Sequence, residues 1–278
     1  MLLLRNGSYI RLITPLLAAL LGVFAAPQVQ AQGDLLVAPT RVILDGRRGT
    51  EVILSNIGSE EATYRISLEL RRMTDTGALV DVPEAEITPA DTAALEMIRY
   101  APRRITLPPG QPQAVRISAR PGAELPDGEY RAHMSFRAIP KPDPVTAPAE
   151  QPTGVSIRLV PIYGVTIPII VRHGQLEVQA ALSGPSLVEG ERGPELHFTI
   201  NRHGARSTYG ELRVLKPGLA DPVYFVRGLA VYPEVEHRQV VLPLSPDQAA
   251  ALRGRIRLEY RELPEAGGGL IAALDASL

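Results

Sequence analysis

The segment from Tyr100 to Ile117 reads Y-A-P-R-R-I-T-L-P-P-G-Q-P-Q-A-V-R-I, with two short extended runs on either side of a Pro-Pro-Gly turn at Pro108 to Gly110. Proline fixes its own φ and glycine accepts a positive φ, so the chain can reverse direction at this turn. The local pattern therefore predicts a β-hairpin in which the two flanking runs pair with each other.

Alternation of apolar and polar residues extends this β pattern along the chain. The apolar positions of two runs are Ala62, Tyr64, Ile66, Leu68 and Leu70, and then Tyr130, Ala132, Met134, Phe136 and Ala138. Runs of this kind form strands with one face in a core and the other, here Arg131, His133, Ser135 and Arg137, in water. With turn residues such as Asp75-Thr76-Gly77 between the runs, they predict a β-sandwich over about 34–170.

A second set of short alternating runs extends from Leu176 to Tyr260 and predicts a second sandwich over 173–278. Within it, Ser245 is a good N-cap and Pro246 suits a first helical turn, so a short helix to about Leu252 is expected. The Pro- and Ala-rich stretch from Pro140 to Pro152 is predicted to be a long loop between strands of the first sandwich.

The N-terminus has the features of an export signal. Arg5 and Arg11 provide a positive region, Leu12 to Ala26 is largely apolar, and Val29-Gln30-Ala31 resembles a cleavage site. An apolar stretch of about 15 residues is shorter than the roughly 20 that span a bilayer. Residues 1–31 are therefore predicted to be a signal peptide, with an uncleaved membrane anchor as the alternative.

Composition and motifs favour a binding protein over an enzyme. The chain of 278 residues has a formal net charge of −1 and no cysteine. Near-neutral charge argues against a nucleic-acid partner, and the lack of cysteine excludes thiol catalysis and thiolate metal sites. No P-loop, serine-hydrolase or zinc-protease motif is present, and the spacing of His197 and His203 suits no metal. We expect no catalytic activity, metal, cofactor or small-molecule substrate.

Arg41 interrupts the apolar run from Val37 to Leu44. A charge in such a run has a desolvation cost unless it is paired or lies at the rim of the core. Two interpretations fit: an edge-strand arginine in water, or an anion-binding arginine in a cleft. The second interpretation fits the chemistry of a guanidinium, whose paired N–H donors match the two oxygens of a carboxylate.

The segment after the Pro-rich stretch alternates again, with apolar residues at Val155, Ile157 and Leu159 and the same phase at Tyr163. It is either the last strand of the first sandwich or an edge strand that lends its apolar side chains to a partner. Pro161 has no N–H and is tolerated mainly at sheet edges, which favours the edge strand.

Three segments together resemble the N-terminal immunoglobulin-like domain of the PapD-like periplasmic chaperones, which assemble bacterial pili. They are Tyr100 to Ile117, A-P-T-R-V-I-L-D-G at Ala38 to Gly46, and Y-R-A-H-M-S-F-R-A-I-P at Tyr130 to Pro140. The resemblance implies an all-β fold with two immunoglobulin-like β-sandwich domains in tandem after a signal peptide. We expect a signal peptide at 1–31, a chaperone domain with its donor strand at 32–172 and a second domain at 173–278.

The resemblance also implies roles for particular residues. In this family two basic residues hold the C-terminal carboxylate of a pilus subunit, and the first lies in a T-R-x-x-x-D-G motif that Thr40 to Gly46 matches, so Arg41 takes this role. The second is a lysine that aligns with Pro168, so anchoring rests on Arg41 alone or on an unrecognised substitute. The implied donor-strand residues, whose side chains fill the groove of the subunit, are Val155, Ile157, Leu159 and Tyr163.

The function implied is that of a periplasmic chaperone that binds, stabilises and delivers pilus or fimbrial subunits by donor-strand complementation, without ATP. Its expected partners are those subunits, with an outer-membrane usher as a further candidate. The alternative is an exported immunoglobulin-like structural or adhesion module that stays in a surface assembly. The Pro-rich stretch directly before an alternating edge strand favours the chaperone.

Export and cleavage after Ala31 make a direct prediction. The mature protein should begin at Gln32 because the positive region, the apolar stretch and the V-Q-A site together form a signal peptide. Intact-mass spectrometry of the periplasmic fraction checks this. A mass that corresponds to a chain beginning at Met1 would contradict it.

Overall fold

The computed structural model describes residues 35–141 and 162–278. The described residues form two large hydrophobic cores, one from residues between Val37 and Val171 and the other from residues between Leu182 and Ala272, and a smaller cluster joins Met73 and Ile170 to Ala230 and Tyr232. Each core lies between two β-sheets, so each half of the chain is a sandwich. In the part of the chain that the structure describes, no helix is long and apolar enough to cross a membrane.

The first sandwich contains eleven strands and one α-helix. They are β1 (Leu35–Ala38), β2 (Val42–Leu44), β3 (Thr50–Asn56), β4 (Ala62–Glu69), β5 (Arg71–Met73), β6 (Leu79–Asp81), α1 (Pro89–Met97), β7 (Ile98–Ala101), β8 (Arg104–Leu107), β9 (Pro112–Ala119), β10 (Gly128–Ile139) and β11 (Gly164–His173). One sheet has the order β1-β3-β9-β7 and the other β2-β11-β10-β4-β8, while β5 and β6 form a separate hairpin.

Its topology is immunoglobulin-like. The first strand is divided between the sheets, because β1 pairs antiparallel with β3 whereas β2 pairs parallel with β11. Near the start of β10, the hydroxyl of Tyr130 donates to the carbonyl of Pro126 at 2.7 Å. A tyrosine that bonds back to the backbone a few residues upstream is the tyrosine corner of such sandwiches.

The second sandwich contains seven strands and one α-helix. They are β12 (Val178–Gly190), β13 (Gly193–Gly204), β14 (Thr208–Leu215), β15 (Tyr224–Val231), β16 (His237–Pro243), α2 (Pro246–Leu252), β17 (Arg255–Arg261) and β18 (Leu270–Ser277). The sheets have the orders β12-β13-β16 and β15-β14-β17-β18. The predicted all-β fold of two tandem immunoglobulin-like sandwiches is confirmed. The signal peptide at 1–31 lies outside the described residues, and the boundary at 172/173 stays a prediction.

Alternation predicted the core faces correctly but one outer face wrongly. Tyr64, Met134 and Phe136 are buried as expected. On the other face of β10, however, His133 and Ser135 are only 1% and 3% exposed. Arg131 of this face pairs with Glu234 of the second sandwich, so the face is shielded from water from Arg131 to Ser135, whereas Arg137 is exposed as the alternation predicted.

The predicted hairpin at Pro108 to Gly110 is wrong in its pairing. Gly110 adopts a positive φ of 71°, so the turn forms as its residues require. The flanking strands, however, lie in opposite sheets, because β8 pairs with β4 while β9 pairs with β3 and β7. Residues of both strands face the same core, so burial on two sheets outweighs local pairing.

Both α-helices begin at capping boxes. Ser245 accepts from the N–H of Gln248 at the start of α2, as the sequence predicts. Thr88 accepts from the N–H of Asp91 at the start of α1, which the sequence analysis did not assign. The Thr88-Pro89 pair followed by Asp91 is the same signal and could have predicted that helix.

Candidate functional site: a cleft between the sandwiches

A cleft of about 830 Å³ lies between the two sandwiches. The first sandwich contributes the chain between β1 and β2 and the end of β11, which place Pro39, Thr40, Arg41, Ile43 and Arg172 on its lining. The second contributes the start of β12, the start of β14 and the turn between β17 and β18. The volume is in the range of protein ligand sites.

Arg41 connects the two sandwiches within this cleft. It lies where the chain passes from one sheet to the other, and its side chain reaches across the seam. Nη1 donates to the hydroxyl of Tyr232 and Nη2 to the hydroxyl of Ser207, each at 3.1 Å. Its Cζ is 4.5 Å from the ring centroid of Tyr209 and 5.4 Å from that of Tyr232. The interpretation of Arg41 as an edge arginine in water is therefore wrong.

Every protein group that holds Arg41 is uncharged. Among the described residues it forms no ion pair, and its buried Nε has no hydrogen-bond acceptor. A guanidinium carries five N–H donors, and the bonds to Tyr232 and Ser207 use two of them. The other N–H groups have no protein acceptor among the described residues, and the positive charge of Arg41, which lines the cleft, is not paired with a carboxylate there.

Arg172, in contrast, is already paired. Its Nε donates to Oε2 of Glu129 at 3.1 Å, and the Glu129 side chain is fully shielded from solvent. The same oxygen accepts from the backbone N–H and the hydroxyl of Ser207, at 3.1 and 2.9 Å. Glu129 thus links β10 and β11 of the first sandwich to the start of β14, and it balances the charge of Arg172.

Arg202 holds the segments that carry the partners of Arg41. It is 6% exposed and donates to the carbonyls of Gly204, Arg206, Pro233 and Val235. The first two carbonyls precede Ser207, and the other two follow Tyr232. One buried guanidinium therefore fixes both segments of the second sandwich that contact Arg41.

His133 is a buried neutral group at the same seam. Neither ring nitrogen has a hydrogen-bond partner among the described residues. Burial, reinforced by the positive charges of Arg131, Arg71 and Arg41, lowers its pKa from 6.5 to about 3. The folded protein therefore keeps this imidazole uncharged at neutral and mildly acidic pH.

Most of the predicted donor strand lies outside the residues that the structure describes. Val155, Ile157 and Leu159 are not among the described residues; Tyr163 is, and it is 46% exposed just before β11. Its carbonyl accepts from the N–H of Ala138, which continues the pairing of β11 with β10. On the opposite side, β2 pairs only with Ile169 to Val171. In the described part of the chain, no strand covers that edge of β11 from Gly164 to Pro168.

Sequence reasoning found Arg41 but missed what surrounds it. Tyr232 and Ser207 are 191 and 166 residues away in the chain, so no local pattern connects them with Arg41. Arg172 lines the same cleft, whereas Pro168, the position aligned with a second basic anchor, does not. An arginine at the end of an otherwise apolar strand was the available signal for Arg172.

No protein-family model and no curated protein matches the chain. Among solved structures, it is similar to the YadV chaperone, with 15% identity, a TM-score of 0.45 and coverage of 88% of this chain and 100% of that one. The CupB2 chaperone of Pseudomonas aeruginosa is 15% identical, with a TM-score of 0.45 and coverage of 87% of this chain and 100% of that one. The periplasmic chaperone SfaE is 14% identical, with a TM-score of 0.43 and coverage of 88% of this chain and 100% of that one.

The titration of His133 predicts acid sensitivity of the fold. Its pKa is about 3 in the folded state, so the unfolded chain binds a proton below pH 6.5 that the folded protein does not. The free energy of unfolding should fall by about 1.4 kcal/mol per pH unit between pH 6.5 and 3 through this group. Denaturant unfolding at pH 7 and pH 4.5 measures the difference, and His133→Gln should reduce it by about 2–3 kcal/mol.

The matched control for this comparison is His203→Gln, which replaces an exposed histidine. It should reproduce the pH dependence of the wild-type protein. If His133→Gln instead loses as much stability between pH 7 and 4.5 as the wild type, His133 is not the acid-sensitive group.

Proposed function

We propose that the chain is a PapD-like periplasmic chaperone that holds pilus or fimbrial subunits until they are assembled. In this proposal the cleft anchors the C-terminal carboxylate of the subunit, and the segment before β11 donates a strand to it without ATP or a cofactor. The observation that carries the proposal is Arg41, which is held in the cleft by neutral groups with its charge unpaired and its buried Nε without an acceptor.

A carboxylate is the group that best completes this site. It is planar, carries one negative charge and accepts two parallel bonds from a guanidinium. A hydrogen bond between charged groups contributes about 1.5–3 kcal/mol, more than a neutral one, and the partly buried position of Arg41 limits screening by salt. Because Tyr232 and Ser207 already orient Arg41, little conformational freedom remains to be lost when the anion binds.

The open edge of β11 supports strand donation. The sheet could be extended alongside Gly164 to Pro168, where β2 leaves backbone groups uncovered. Val155, Ile157 and Leu159 keep the odd-numbered phase of Val165 and Ile167, which face the first core. Past the end of that core, side chains in this phase would face the groove of a bound subunit.

Apolar burial and the ordering of the chain oppose each other when a subunit binds. Burying four apolar side chains would contribute roughly 6–12 kcal/mol before opposing terms. Any residue that binding newly orders, in either protein, opposes this by about 1–2 kcal/mol. The subunit is therefore held more tightly when fewer residues are ordered, and each further ordered residue favours its release to an outer-membrane usher.

Substitution Arg41→Ala tests the anchor. We expect it to abolish recovery of a co-purifying subunit from a periplasmic extract of the native host, identified by mass spectrometry. Because Arg41 also contacts the second sandwich, the thermal transition should fall by a few degrees, at about 2–4 °C for each kcal/mol lost. If the subunit is recovered as from wild type, Arg41 is not the anchor.

Arg103→Ala is the matched control. Arg103 also lies over a tyrosine ring, at 4.6 Å from the centroid of Tyr100, and donates to its hydroxyl at 2.9 Å. It is exposed and does not line the cleft. Arg103→Ala should leave recovery of the subunit unchanged. Loss of recovery in Arg41→Ala alone would then show that the position of Arg41 in the cleft matters, and not merely its stacking on a tyrosine.

The double substitution Ile157→Asp with Leu159→Asp tests the donor strand. Two carboxylates in the apolar groove of a subunit would be unpaired charges, which cost several kcal/mol. We expect a folded protein that no longer protects its subunit from periplasmic proteolysis. Loss of the β spectrum in circular dichroism would contradict the donor-strand assignment, because these side chains would then belong to the protein's own core. Ser156→Asp with Arg158→Asp, on the alternate face, should retain protection.

A further inference from the structure

A hairpin inserted in the first sandwich crosses to the second. Strands β5 and β6 extend beyond β4, and the carbonyl of Asp75 at their turn accepts from the backbone N–H of Gln239 at 2.7 Å. Gln239 belongs to β16, which is at the edge of its sheet. The turn therefore covers part of an exposed strand edge in the other sandwich.

Gly77 makes this contact close. It has a φ of 82°, and a Cβ atom at this position would lie 2.1 Å from Nε of Arg238. The Arg238 side chain has little room to move away, because it is half-buried and its Nη1 donates to the carbonyl of Ala230 at 2.7 Å. Any side chain at position 77 would therefore push the turn away from β16.

Strand β5 of the hairpin contacts residues that surround Arg41. The backbone N–H of Met73 donates to Oε1 of Glu234 at 2.8 Å, and the Met73 side chain packs in a buried cluster with Tyr232. Arg131 donates to the carbonyl of Arg71 at 3.0 Å, pairs with Glu234 and lies 3.7 Å from the ring centroid of Tyr232. Tyr232 in turn accepts from Arg41.

None of the hairpin residues lines the cleft. We infer that the β5–β6 hairpin is a positioning element for the carboxylate anchor: by bracing the second sandwich, it keeps Tyr232 and Ser207 where they orient Arg41. This inference rests on the proposed function of the cleft. Thermodynamic reciprocity then requires that an anion bound at Arg41 tighten the contact between the hairpin and β16.

The experiment compares N-acetyl-valine, which has a free carboxylate, with neutral N-acetyl-valinamide. Each probe is titrated into the ¹⁵N-labelled mature protein, and NMR shifts give the dissociation constants. We expect wild type to prefer the acid. Gly77→Ala should weaken acid binding at least about fivefold, within the usual range of coupling between sites, and leave amide binding unchanged.

The matched control is Gly110→Ala. Gly110 also has a positive φ, 71°, but a Cβ there would meet no atom within 4 Å. It reproduces the backbone strain without disturbing the seam, so it should bind the acid as wild type does. If Gly77→Ala and Gly110→Ala bind the acid equally, the bracing role is wrong while the anchor stands. If wild type does not prefer the acid, the anchor itself is wrong, and the bracing role with it.

A measurement on wild type covers the case in which Gly77→Ala does not fold. The amide of Gln239 bonds across the seam to Asp75, so its hydrogen exchange reports the docking of the hairpin. Saturating N-acetyl-valine should slow this exchange, whereas N-acetyl-valinamide should not. Equal exchange with the acid and the amide would overturn the inference.

Discussion

Glu129 lies at the junction of the two sandwiches with its side chain shielded from solvent, and a buried carboxylate needs donors. It finds them on both sides: Arg172 from its own sandwich and Ser207 from the other. Ser207 then uses its hydroxyl twice, as a donor to Glu129 and as an acceptor from Arg41. The orientation of Arg41 in the cleft therefore depends on a charge pair that it does not join.

This arrangement separates two tasks that one ion pair could not perform together. Removing a partner from a buried pair is costly, so Arg172 keeps Glu129 in place to bind Ser207 of the second sandwich whether or not the cleft is occupied. Arg41 is oriented by hydroxyls and rings, which give direction without cancelling charge. The cleft thus keeps Arg41 outside any ion pair beside a stable junction of the two sandwiches, as a site for reversible anion binding requires.

Sequence patterns predicted what depends on local chemistry. Alternation identified the core faces of β4 and β10, and Ser245-Pro246 identified the start of α2, because each signal acts within a few residues. The turn at Pro108 to Gly110 was found, but turn residues do not determine which sheet a strand joins. The donor-strand residues and the role of Arg41 remain predictions.

The sequence predicted Arg41 but not its partners, because those partners belong to a distant part of the chain. Arg41 stood out because a charge within an apolar run must be explained. Tyr209, Ser207 and Tyr232 are ordinary residues in ordinary strands and turns, and they become significant only when the second sandwich docks. His133 was predicted to face water but is buried, because alternation shows only which face of a strand lies in its own core and not what covers the other face.

The uncovered edge of β11 has a consequence for self-association. An open strand edge is a template for any extended chain, including an identical copy of this protein. Among the described residues the uncovered interval runs from Gly164 to Pro168, and Pro168 has no N–H to offer. This proline interrupts backbone pairing along the edge, which favours ligands that also contribute side-chain burial over pairing through the backbone alone. It thereby weakens the edge as a template for stacking identical chains into fibres.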